Sequence, residues 1–135
     1  SDPAGQPNVS PKELFAAEGE KRLVIADVAS PVSIANIEKN PTVVVSFVHV
    51  FKEKGFKLTG LARIIPATNT EFKSCAEVLL KRIGTRFKIR NLIVILVEKV
   101  TPIIAPSYIL YPETTEQQQM ASAMNNYGVK SRIEH

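Results

Sequence analysis

The stretch Asp27-Val28-Ala29-Ser30-Pro31-Val32-Ser33-Ile34-Ala35-Asn36 holds residue types that could do chemistry. Two hydroxyls and a proline stand where a short helix should begin. A helix start offers unpaired backbone N–H groups and the positive end of the helix dipole, so it is a natural phosphate seat. The same serines also serve as an ordinary N-cap and a helix-start residue with no ligand at all. If a phosphate sits there, a small β-rich domain holds a phosphorylated cofactor.

Other reactive side chains are sparse. His49 lies in an apolar run and reads as a packed or interface histidine, since no aspartate, serine or cysteine stands near it in a catalytic spacing. Cys75, the one cysteine, falls on the apolar side of a helical pattern and reads as inert core. It excludes an intrachain disulfide and a cysteine-built zinc cage, in keeping with a reducing cytoplasm. Lys81, Arg82, Arg86, Lys88 and Arg90 crowd one loop. Such a run reads as a solvated face, or as cations reaching a ligand phosphate or a substrate anion across a dimer interface. Tyr108 and Tyr111 read as packing residues, with an interface or the wall of a pocket as the alternatives.

The elements that must position these groups follow from local pattern. Asn8 to Ala17 and Arg22 to Val28 read as strands around a Glu18–Lys21 turn. Ser30 caps a helix with Pro31 at its first position, and Asn40-Pro41 stops it. Thr42 to Phe51, rich in β-branched residues, reads as a buried strand. After the turn Lys52–Gly55, Phe56 to Pro66 forms the next strand, and Gly60 inside it implies a bulge or a close approach. Glu71 to Ile83 reads as a helix with an apolar stripe of Phe72, Cys75, Ala76, Leu79 and Leu80. Leu92 to Thr101 is a strand, and Ile103 to Leu110, broken by Pro106, a further short one. Thr114 or Thr115 caps a last helix that ends at Gly128 near Tyr127.

Short turns between most strands predict a mostly antiparallel, Greek-key-like sheet, and the economical solution is a five- or six-stranded small barrel with peripheral helices. The 135 residues suit a single domain, 44% of them apolar. No apolar stretch is long enough to span a bilayer and no signal peptide is visible. The opening Ser1–Pro7 reads as a turn entering a strand with none before it, so an N-terminal strand is expected to be missing from this chain. The net charge of +4 suits a phosphorylated ligand.

Taken in order, these motifs resemble the pyridoxamine 5'-phosphate oxidase-like FMN-binding split-barrel proteins. The resemblance runs from Gln6-Pro7-Asn8-Val9-Ser10-Pro11-Lys12 to Ala105-Pro106-Ser107-Tyr108. Its strongest pieces are Ser30-Pro31-Val32-Ser33 with Asn36-Ile37-Glu38-Lys39-Asn40-Pro41, and Lys54-Gly55-Phe56-Lys57-Leu58-Thr59-Gly60. It implies a split β-barrel that forms homodimers, with FMN in a groove at the dimer interface. Lys12 falls where the family places the lysine of an Arg-x-x-Leu-Leu-Lys motif, with Pro7 in place of its arginine. Ile25, Ala26 and Asp27 fall on the strand end that lies along the isoalloxazine. Ser33 takes the place of a phosphate-binding lysine and Val32 that of an arginine. Gly55, Phe56 and Lys57 match the strand that reaches the flavin from the other side.

Two basic phosphate ligands are thus absent, and ionised donors are the strong ones. The helix start with Ser30, Ser33 and Asn36 would partly replace them through N–H and hydroxyl donors. The resemblance implies a cytoplasmic FMN-dependent oxidoreductase, with a nicotinamide donor or a small-molecule substrate and no assigned acid or base. A non-catalytic flavin-binding or sensor protein is the alternative, and related split barrels also bind haem or a deazaflavin. Nucleic-acid binding by a small β-barrel is the remote alternative. It is disfavoured by 7% aromatic residues, the absence of tryptophan and the small charge excess.

Overall fold

The computed structural model describes residues 1–83 and 88–130. The chain runs β1 (Phe15–Glu18), β2 (Arg22–Asp27), α1 (Pro31–Lys39), β3 (Thr42–His49), β4 (Lys54–Pro66), α2 (Phe72–Ile83), β5 (Asn91–Ile104), α3 (Pro106–Leu110) and α4 (Glu116–Tyr127). The strands form one sheet in the order β1-β2-β5-β4-β3, with β2 antiparallel to both β1 and β5. In the run from β2 to β5 the last strand lies beside the first, which is Greek-key order. The connection that carries α1 crosses from β2 to β3 at the far edge of the sheet.

The chain divides into two compact units. The first comprises Ser1–Val44 and Thr59–Lys99. Its core joins Ala16, Val24, Ala26, Ile65, Leu92 and Val94 of the sheet to Cys75, Ala76 and Leu79 of α2. Leu80 stands at the margin of the expected stripe and is exposed, while Val78 packs against the core instead. A Cβ built on Gly60 would lie 2.1 Å from the Leu96 carbonyl oxygen, so the close approach read from this glycine is made by the β5 backbone.

Two readings are corrected here. The first strand is confined to Phe15–Glu18 rather than beginning at Asn8. Pro7 and Pro11 have no N–H to give a ladder. The strand read as buried is the sheet's edge: in β3, half-buried Val43, Val45 and Phe47 alternate with exposed Val44, Ser46 and Val48. Its β-branched run signals a strand but carries no information about which faces are covered.

The second unit comprises Val45–Leu58 and Val100–His135. Here β5 runs on to Ile104, and the segment after it is helical where a strand is expected. Pro106 starts α3 instead of breaking a strand, because its missing N–H costs nothing at a first helical position. α4 has the expected ends. Thr115 and Gln118 form a reciprocal capping box, and Gly128 closes the helix at φ 65°. The Tyr108 hydroxyl donates to the Lys52 carbonyl at 2.8 Å, and the Lys54 ammonium stands 4.1 Å from the Tyr108 ring centre. His49 is exposed, not packed, and its Nδ1 accepts the Lys52 amide at 3.2 Å in the turn after β3.

Candidate functional site

The residues between Pro7 and β1 form no ladder until the Leu14 carbonyl accepts the Ala26 amide at 2.8 Å. That bond brings the irregular segment alongside the end of β2. Lys12 Nζ donates to Ser10 Oγ at 2.7 Å and to Ser30 Oγ at 2.5 Å. The Ser10 and Ser33 hydroxyls are hydrogen-bonded at 3.0 Å. One ammonium and three hydroxyls therefore share the start of α1.

The helix itself adds the positive end of its dipole to this corner. Ser30 occupies the N-cap but its hydroxyl caps no amide, and the first turn carries no acidic residue. Burial holds the Lys12 ammonium below the ordinary lysine value, while the nearby Asp27 carboxylate pulls it back up. Asp27, only 3% exposed, accepts the Ser30 amide at 2.9 Å on one oxygen and the Asn91 side-chain amide at 2.9 Å on the other. An ammonium, several hydroxyls and an uncapped helix start are the donors a phosphate takes. The set fits a phosphorylated ligand.

Of the residues singled out from sequence, Lys12, Ser30, Ser33 and Asp27 come together here. Asn36 is half-buried one turn beyond Ser33 on the same helix face. Ile25 and Ala26 are core residues of β2, 3% and 5% exposed, paired in register with Ile93 and Leu92. Gly55, Phe56 and Lys57 lie on β4 in the second unit, with Phe56 and Lys57 exposed. Gly55 has a reason within the sheet: a Cβ there would lie 1.7 Å from the Phe47 carbonyl oxygen.

Sequence reading passed over Ser10 and Asn91, and named Arg90 only as part of a basic run. Ser10 stands two residues before Lys12, and only the fold shows that it turns to Ser33. Asn91 pairs with Asp27 in the β2–β5 register, and Arg90 donates its amide to the Asp27 carbonyl at 3.0 Å. Arg90 lines a cavity of about 340 Å3 with Asp27, Ser30, Ile34, Glu38 and Asn91. Arg86, from the same basic run, lies outside the described residues.

A family model described as pyridoxamine 5'-phosphate oxidase matches residues 1–104. The chain belongs to the pyridoxamine 5'-phosphate oxidase family. No protein of curated function matches it. Among solved structures it is similar to HupZ of Group A Streptococcus, with 23% identity and a TM-score of 0.62 over 73% of this chain and 76% of that one. It is also similar to an FMN-binding protein from Syntrophomonas wolfei subsp. wolfei. There the identity is 14% and the TM-score 0.64, over 77% of this chain and 73% of that one. These likenesses carry the fold, which is the split barrel of the pyridoxamine 5'-phosphate oxidase family. Val32, in the first turn of α1, is 58% exposed. Lys12 is the cation that joins the serine cluster.

Proposed function

We propose that this chain is an FMN-binding oxidoreductase, with the 5'-phosphate seated on Lys12, Ser10, Ser30 and Ser33 at the start of α1. The observation that carries this reading is the hydrogen-bonded group of one ammonium and three hydroxyls at an uncapped helix start. Membership of the pyridoxamine 5'-phosphate oxidase family supports it, as does the likeness in fold to a protein described as FMN-binding. When bound, the flavin supplies hydride acceptance and release. The protein's part is binding. Lys12 contributes the charge-assisted donor, and the serine hydroxyls and first-turn amides complete the shell. The ammonium and the three hydroxyls satisfy one another in the chain as it stands, so at these groups a phosphate exchanges partners. We extend the reading to a cytoplasmic homodimer reduced by a nicotinamide, whose substrate is unassigned.

Titration with FMN and with riboflavin tests this, because the two share the ring and differ in the phosphate. FMN should bind at least about tenfold more tightly, the worth of one good charged hydrogen bond. Equal binding refutes the seat. Anaerobic mixing of the loaded protein with NADH or NADPH then tests the redox reading. Bleaching of the flavin absorption supports an oxidoreductase, and an unreduced flavin leaves a flavin-binding protein. Light scattering on the eluting protein reads the oligomeric state.

A further inference from the structure

The chain carries its own control for what a helix start does when no ligand is expected. At α4 the N-cap Thr115 has φ −80° and ψ 158°, and its hydroxyl accepts the Gln118 amide while the Gln118 side chain accepts the Thr115 amide. Both side chains are spent on the cap. At α1 the equivalent residues are Ser30 and Ser33, and neither is spent in this way. Ser30 has φ −128° and ψ 60°, with its hydroxyl on Lys12. Ser33 is too short to reach back, and its hydroxyl meets Ser10. The N-cap amide, which Gln118 satisfies in α4, is satisfied here from outside the helix by Asp27.

We infer that Asp27 is a positioning residue for the phosphate seat: by taking the Ser30 amide, its carboxylate fixes the start of α1, where the Ser30 hydroxyl and the first-turn amides stand outside any side-chain cap and can meet a phosphate. This rests on the FMN reading above. The carboxylate is well placed to hold geometry. It is 3% exposed, and its second oxygen is fixed by Asn91 at the first residue of β5. The backbone is fixed as well, because the Arg90 amide donates to the Asp27 carbonyl. The start of α1 is thereby tied to two adjacent strands. Asp27 itself does not suit the phosphate as a ligand, since an ionised carboxylate is acceptor-only and repels an anion.

The two amide-level variants separate position from charge. Asp27→Asn keeps an oxygen for the Ser30 amide, and the Asn91 side chain can turn its own oxygen to the new NH2. Asp27→Ala removes the acceptor. Amide exchange at Ser30 should be slow in the native chain and in Asp27→Asn, and faster in Asp27→Ala. FMN affinity should fall about tenfold or more in Asp27→Ala, the scale of a lost charged hydrogen bond, while riboflavin affinity and Asp27→Asn stay within about threefold of native. Asn91→Ala, which frees one carboxylate oxygen, should produce a smaller loss of the same kind and serves if Asp27→Ala does not fold. The inference is overturned if Asp27→Ala keeps its FMN affinity or loses FMN and riboflavin alike. It is equally overturned if Asn91→Ala leaves both the Ser30 amide and FMN binding unchanged. Failure of the FMN reading looks different: the native protein itself then shows no preference for FMN over riboflavin, and the role of Asp27 at a phosphate falls with it.

Discussion

The ammonium of Lys12 lies 2.5 Å from the hydroxyl of Ser30, a residue that stands at the N-cap of α1 without capping it. The two are 18 residues apart in sequence. They meet because the segment before β1 is pinned to the end of β2. A donor cation, a hydroxyl released from capping and a helix dipole then act at one point. Each alone is weak, and only their coincidence suits an anion.

Replacing the cation is the direct test of that coincidence. Lys12→Met keeps most of the aliphatic stem and removes the donor. FMN affinity should fall about tenfold to a hundredfold, as expected for charged hydrogen bonds of roughly 1.5–3 kcal/mol. Riboflavin affinity should not change. Ser33→Ala should show a smaller loss in the same direction, because a neutral hydroxyl is the weaker donor. Fluorescence titration of both ligands reads the difference, and equal losses for the two would mean that Lys12 supports the fold rather than the phosphate.

The same lysine sets a pH dependence. Burial lowers its pKa, so the folded chain releases this proton at lower pH than the unfolded chain. Between the folded value and the ordinary 10.5, the unfolded state binds more protons, and stability rises with pH across that window. Phosphate binding runs the other way, since the anion needs the ammonium. Above the phosphate's own second pKa, about 6, FMN affinity should hold steady up to the folded pKa of Lys12 and fall as pH rises through it, with the fall beginning below 10.5. Riboflavin carries the same ring and corrects for its titration. The phosphate-dependent limb should be missing in Lys12→Met.

Gly60 has a different kind of necessity. The Leu96 carbonyl occupies the space a side chain would need, at 2.1 Å, and both groups are backbone-bound. Gly60→Ala must push β4 from β5, which should cost about 1–3 kcal/mol in the way overpacking does. Thermal unfolding reads it directly. A Tm unchanged within error would mean that these strands yield more easily than their ladder suggests.

Much of this was legible in the sequence because the signals were local. Gly60 announced a bulge or a close approach, and Thr114 or Thr115 with Gly128 marked the two ends of α4. Ser30 and Pro31 fixed the start of α1. Features decided by distant neighbours were not legible. β3 carries strand-forming residues whether or not anything covers it, and the strand order leaves it at the edge. Ile103 to Leu110 is apolar enough for a strand, yet Pro106 suits a helix start just as well, and tertiary context chose the helix. At the site, the serines were visible, but what their hydroxyls do depends on Ser10, Lys12 and Asp27 being delivered from outside the helix.

Ser30 and Thr115 make the last prediction, since they hold the same position in two helices and do opposite things. The Thr115 hydroxyl is bonded to the Gln118 amide at 3.2 Å, so Thr115→Ala removes a working cap. That change should cost about 1 kcal/mol and leave the phosphate-dependent part of flavin binding untouched. The Ser30 hydroxyl makes no cap bond and accepts from Lys12 instead, so Ser30→Ala should weaken FMN against riboflavin. Denaturant melts and paired titrations of both variants read the cross. If Ser30→Ala instead leaves the FMN preference unchanged, then the Ser30 hydroxyl is structural, and the start of α1 is only the start of a helix.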